Sequence, residues 1–363
     1  MPVLAILGLI LGCFMSEASA NVIGFDFGST FFKITLVQPG NPFQIVENTT
    51  TKRKTDSQWT LNKDVRLFGK DSFIGTSRFP KTTFADTASL LAMPYSEEAA
   101  QRLALDKFVL NDFVQDERGL IAAQTFSIDK KELKDNEDAT ADYFSEELVA
   151  MILAYGKSLS ERQAQGNSLV KDAVLTVPSY YDQERRLMMI DAAELAGLTV
   201  IQLVHENSAA AVMYGIDRMD TEEDLNVLIY NMGGRDTEVS VVRYSAVTDA
   251  KNKTFEYVEI LGEGYDETLG GMEFDHVLVG IMADKFNAMK EREGKPDVRT
   301  LPRQMKRLYK EASGIKDILS ANKLVNIKVP ELHDYVTLAF ELTRDDFEEA
   351  CSHLFERVKG PID

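Results

Sequence analysis

Seven residues near the start of the chain, Gly24-Phe25-Asp26-Phe27-Gly28-Ser29-Thr30, combine the parts needed to hold a phosphate. A turn at Gly28 lets backbone N–H groups approach phosphate oxygens, and the hydroxyls of Ser29 and Thr30 add donors. Asp26, at a strand edge, can hold magnesium through its water shell, because magnesium prefers few carboxylates and several waters. A plain hairpin turn with a surface aspartate fits the same residues. Two glycine pairs follow later. Asn231-Met232-Gly233-Gly234 lies between two apolar runs, and Leu269-Gly270-Gly271-Met272-Glu273-Phe274-Asp275 leads into a helical pattern. A helix N-terminus at the second of these can face an anion. Each motif alone is weak. In this order, with Val177-Pro178-Ser179-Tyr180 and Glu206 between them, they are stronger together.

The elements that must position these residues alternate. Val22–Phe27 and Phe31–Val37 read as β-prone runs around the first glycine turn. Asn41 to Lys70 is polar and irregular. Thr140 is placed to cap a helix whose Phe144, Leu148, Met151, Ile152, Tyr155 and Leu159 share one face. Ala173–Val177 is a buried-type strand ended by Pro178, and Asp182 to Ala196 a helix closed by Gly197. Thr199–Val204 is another strand and Glu206–Tyr214 another helix. After the acidic stretch Asp220 to Asp224 the pattern restarts, with Leu225–Tyr230 and Thr237–Tyr244 flanking the second turn and Thr254–Gly262 extending the sheet. Strand, glycine turn, strand thus occurs twice, which would set two glycine turns on opposite sides of one cleft. Val277 to Asp363 reads as mainly helical, with a strand pair near Lys323–Val329 and Tyr335–Leu342.

Bulk properties bound the function. At 363 residues, the chain can form one large two-lobed domain or two ordinary ones. A net charge of −18 argues against a nucleic-acid binder, which needs a basic footprint. Val3 to Met15 is apolar and is followed by Ala18-Ser19-Ala20. The run is too short to span a bilayer and ends like a signal-peptidase site, so residues 1–20 read as a signal peptide without a basic n-region. No other stretch is long and apolar enough to cross a membrane. Cys13 would leave with that peptide, and Cys351 would remain without a partner. Sequons at Asn48 and Asn252 lie in polar stretches where a glycan is tolerated.

Together the segments GFDFGSTFF (24–32), TVPSYYDQERR (176–186), AAELAGLTVIQLVHENSAAAVMYGID (192–217), VLIYNMGG (227–234) and TLGGMEFD (268–275) are spread over most of the chain from residue 22 onward. They resemble the ATPase domain of the seventy-kilodalton heat-shock superfamily. Ile318-Leu319-Ser320-Ala321-Asn322 and Leu354-Phe355-Glu356-Arg357-Val358 look more like its large, endoplasmic-reticulum-resident subfamily. The resemblance implies an α/β, duplicated actin-like (ribonuclease-H-like) fold, with two lobes around a nucleotide cleft. It divides the chain into lobe I (21–219) and lobe II (220–363), the second truncated, with no substrate-binding domain. It implies ATP or ADP with Mg2+ as cofactors. Asp26 and Glu206 would lie near the magnesium and the attacking water, and Gly28, Ser29 and Thr30 at the phosphates. Gly233, Gly234, Gly270 and Gly271 would approach phosphates and ribose, and Lys316 and Ser320 the adenosine. Pro178 and Arg186 match the pair that couples nucleotide state to the rest of the chaperone. A lumenal chaperone that assists folding under stress is the implied role.

Departures from the family pattern temper this. Asn231 stands where the second phosphate loop carries a carboxylate, so the charge that helps neutralise metal and phosphate is missing. Arg235 replaces that loop's third glycine, and Asp236 its hydroxyl. Aligning Arg66-Leu67-Phe68-Gly69 with the family places Phe73 at the catalytic lysine. Ser313 and Asp317 replace the Glu and the adenine-stacking Arg, and Asp cannot stack on adenine. Nucleotide binding with slow or absent hydrolysis is therefore expected. The alternative is a non-catalytic co-chaperone that speeds nucleotide exchange on the lumenal chaperone BiP. A sugar kinase on the same lobed fold lacks any visible sugar signature. His205, His276, His333 and His353 have no metal-ligand spacing, and Ser179 lacks the glycine elbow of a hydrolase.

Overall fold

A computed structural model describes residues 21–106, 109–127, 139–164, 169–216, 218, 224–249 and 252–363. The expected signal peptide and most of the acidic stretch at 220–224 lie outside these residues. In the first half, β1 (Asn21–Phe27) and β2 (Phe31–Val37) form the expected hairpin around Gly28. β1 also pairs in parallel with β3 (Val170–Val177), which pairs in parallel with β4 (Thr199–His205). Parallel neighbours need crossover connections, and helices supply them. α1 (Ser145–Gln163) precedes β3, α2 (Gln183–Leu195) joins β3 to β4, and α3 (Glu206–Gly215) follows β4.

The core of this half gathers Ile23 and Phe25 from β1, Leu148 and Leu153 from α1, and Leu175 from β3. Trp59 is fully buried and its Nε1 donates to the Leu148 carbonyl at 3.2 Å. Gly156 brings α1 onto the sheet, since a Cβ there would lie 2.3 Å from Phe25. Two local expectations are corrected. Thr140 starts no helix: Thr140–Phe144 is a strand paired with Ile121–Phe126, and α1 begins at Ser145. The polar stretch 41–70 is not irregular throughout, because Gln58–Asn62 and Val65–Phe68 pair with each other.

The second half repeats a hairpin around a glycine turn. β5 (Leu225–Met232), β6 (Thr237–Thr248) and β7 (Thr254–Asp266) form an antiparallel sheet. α4 (Gly271–Asn287) and α5 (Pro302–Ala321) then pack on β8 (Leu324–His333) and β9 (Val336–Thr343). Phe286, Met305, Leu308 and Leu338 lie at the centre of that packing, and a smaller cluster joins Ala211 of α3 to Val242 and Tyr244. No helix among the described residues is long and apolar enough to cross a membrane.

Candidate nucleotide site

The two glycine turns meet. A Cβ on Gly234 would fall 2.1 Å from Thr30 Oγ1, so backbone and hydroxyl touch across the gap. Beneath them lies a small cavity of about 70 Å³, lined by Gly28, Ser29, Thr176, Pro178, Glu206, Gly233, Gly234 and Arg235. Above them opens a cleft of about 910 Å³, lined by Asp26, Ser29, Thr30, Glu206, Asn231, Gly233, Gly234, Gly271 and Lys316. Nearly all the residues expected at a nucleotide therefore border these two spaces. Gly270 and Ser320 do not: Gly270 packs against the Gly234–Arg235 backbone, and Ser320 is exposed on α5, where its hydroxyl donates to Asp317 O at 2.6 Å.

The third glycine pair lies against the second. A Cβ on Gly270 would lie 2.5 Å from the Arg235 carbonyl carbon, so only glycine fits. The first amides of α4 are used locally: Gly271 N–H donates to Gly233 O at 3.0 Å and Met272 N–H to Gly234 O at 2.7 Å. The expectation that this helix start presents those donors to an anion is thus corrected; they hold the glycine turn instead. Lys316 on α5 completes the assembly, donating to Gly271 O at 2.7 Å and pairing with Asp275 at 2.8 Å.

The floor of the site is acidic and crowded. Asp26 opposes Lys33 across the hairpin and pairs with it at 2.5 Å. Glu206, at the start of α3, accepts from Asn231 Nδ2 at 3.2 Å. Burial, and then the charges of Asp236, Glu238 and Asp26, push its carboxyl up to about 8. Burial also raises Asp236 and Glu238. These two have partners across the molecule: Tyr180 OH donates to Asp236 at 2.7 Å, and Ser179 Oγ donates to Glu238 at 3.0 Å. Arg235 pairs with Asp86 at 2.5 Å. Burial and the neighbouring carboxylates thus favour the protonated form of Glu206 as long as no cation lies beside it.

Pro178 lines the small cavity, and Arg186 pins the adjoining loop by donating to Tyr181 O at 2.7 Å and Ser179 O at 3.2 Å. Phe73 does not share a cavity with Glu206. It lines a side cavity with Lys70, while Ala88 and Ser89 stand in the Glu206 cavity. Asp86 and Glu238 were not singled out from sequence, whereas Asp236 was read there only as the residue replacing the loop's hydroxyl. Asp86 has one local mark, a left-handed backbone at φ 51°. The sequon residues differ: Asn48 is half-buried and donates to Lys54 O at 3.0 Å, whereas Asn252 is exposed between β6 and β7.

No group of three or more His, Cys, Asp or Glu side chains among the described residues is arranged to hold a metal alone. The donor set still fits magnesium brought with phosphate, which needs only one or two carboxylates. Asp26 and Glu206 would hold it through its waters, and the raised Glu206 marks repulsion that a cation relieves. Bound there, magnesium would neutralise phosphate charge.

Comparison with known proteins agrees with this geometry. A family model described as Hsp70 protein matches residues 22–363. Hypoxia up-regulated protein 1 from Xenopus laevis is 35% identical over 99% of this chain and 54% of its own length. The Gallus gallus protein of that name is 34% identical over 98% of this chain and 34% of its own, and the Homo sapiens one 33% over 94% and 33%. This chain therefore spans about half to a third of these relatives. With the glycine turns, the cleft and the match over residues 22–363 in agreement, the chain belongs to the Hsp70 family, whose nucleotide-binding domain is an actin-like ATPase fold that binds nucleotide with Mg2+.

Proposed function

We propose that this chain is the nucleotide-binding part of a stress-related chaperone of the endoplasmic-reticulum lumen, binding ADP or ATP with magnesium and hydrolysing ATP weakly or not at all. Its two bodies are residues 21–219 and 220–363. Phosphates would lie between Ser29, Thr30 and the Gly233–Gly234 turn, and adenosine toward Lys316. The observation that carries the reading is the pairing of Glu206 with Asn231 at 3.2 Å in the wall of the cleft. Asn231 brings no second carboxylate to the metal and ties up one Glu206 oxygen, so water is poorly activated, while the phosphate-facing turns remain in place. Titration calorimetry with ADP and ATP plus magnesium, alongside phosphate release, tests it. Heat with both nucleotides and little released phosphate is expected; no heat with either overturns nucleotide binding.

A second role is favoured by the contacts that cross the cleft floor, from Ser179 and Tyr180 to Glu238 and Asp236. They hold the two halves together without turnover, as suits a co-chaperone that works by shape. Addition of this protein to BiP should then speed release of labelled ADP, and unchanged release removes the exchange-factor role.

A further inference from the structure

We propose that Arg235 and Asp86 form a latch that closes the cleft floor when no nucleotide is present, and that phosphate opens it by taking the Arg235 guanidinium from Asp86. This rests on the nucleotide-binding reading above and names its affinity-setting residues. Arg235 sits within the turn that faces the phosphates, between Gly234 and Asp236. Its backbone is fixed, because Gly270 packs directly on it. Only the side chain is free to choose a partner, and it reaches a residue 149 positions earlier in the chain.

The pair joins the two halves at the point where two cavities meet. Arg235 lines the small cavity with Gly28, Ser29 and Glu206, whereas Asp86 lines the side cavity with Ser29 and Thr30. Ser29 and Gly233 border both this small cavity and the large cleft, so an anion held between them stands at the mouth of the cavity that contains the guanidinium. Arginine keeps its charge at any working pH and offers a planar fork that suits phosphate oxygens. Asp86 opposes such a ligand twice, by holding Nη1 and by its own charge. It is also poorly satisfied: Oδ2 takes the guanidinium, but Oδ1 is buried with no hydrogen-bond partner among the described residues. A buried carboxylate oxygen left so is an unstable resting place, consistent with a partner that changes hands. The crossings from Tyr180 to Asp236 and from Arg185 to Glu267 flank the pair, so opening the latch need not separate the halves.

The test uses the full chain with ADP and magnesium, comparing wild type, Asp86→Asn and Arg235→Gln by titration calorimetry. Amide hydrogen exchange in 84–91 and 231–236 without nucleotide reads the latch itself. Asparagine tolerates the left-handed backbone at 86, so the first variant keeps the local fold. Asp86→Asn should tighten ADP about tenfold, because the competitor for Arg235 is gone. Both variants should lose protection in both segments, and Arg235→Gln should bind ADP no tighter than wild type. ADP affinity within twofold of wild type for Asp86→Asn, with wild type binding, overturns the latch and leaves the nucleotide reading intact. Unchanged exchange in both variants also overturns it. No ADP heat from any of the three proteins sinks the nucleotide reading instead, and the exchange data then decide the closing role. Should Asp86→Asn not fold, Arg235→Gln carries the test through its exchange at 84–91.

Discussion

Replacing Glu206 by Gln should lessen a loss of stability that the wild-type chain suffers as pH rises. In the folded chain this carboxyl is pushed up to about 8, against an ordinary value of 4.5. Unfolded, it would ionise near the ordinary value. Between these limits the folded state binds the proton that the unfolded state has released, so stability falls with rising pH. It is fully present below about pH 4.5 and lost by about pH 8. The gap corresponds to ~5 kcal/mol at most, shared with Asp236 and Glu238, which repel the same charge. Gln keeps the shape and the contact with Asn231 but cannot ionise. Thermal unfolding of both proteins at pH 5, 7 and 9 is the assay. The two should melt alike at pH 5, and the variant should melt several degrees higher at pH 9. Equal falls in melting temperature from pH 5 to pH 9 would falsify the account, since the loss would then belong to other groups.

Asn231→Asp should set a second carboxylate about 3 Å from Glu206, a repulsion of about 5 kcal/mol at an effective dielectric near 20, so the pair takes up a proton. A steeper fall in melting temperature with pH, partly reversed by magnesium, is expected; a slope like that of wild type would contradict it. Gly270→Ala should push the second glycine turn out of place and weaken ADP binding, measured by calorimetry, because the new methyl meets backbone at 2.5 Å. Gly156→Ala should destabilise the chain by about 1–3 kcal/mol in urea unfolding by overpacking α1 against Phe25, with little direct effect on ADP affinity.

Much of the sheet framework was legible because its signals are local. Glycine turns between β-prone runs mark the hairpins at 22–37 and 225–244 wherever they occur in a fold. Thr140 misled because its hydroxyl and the apolar spacing after it satisfy the rules for a helix start. Pairing of Thr140–Phe144 with Ile121–Phe126, a tertiary contact, outweighs that local preference. At the site, Asp26, Glu206 and the glycines stand out by type and order. Asp86 does not, for its meaning comes from Arg235, in a turn far along the chain. Likewise Phe73 and Ser320 were placed by resemblance to the family pattern, and the turn of the helix that carries each decides which side it faces. The Glu206 cavity receives Ala88 and Ser89 instead.

The two bonds from the start of α4 into the Gly233–Gly234 carbonyls make that turn a rigid lever arm rather than a flap. Lys316 ties the arm onward to α5 through Gly271. A tilt of the helix pair must therefore swing the turn, and pressure on the turn must tilt the helices. A protein gripping α4 and α5 from outside would then loosen or tighten a bound phosphate without touching it.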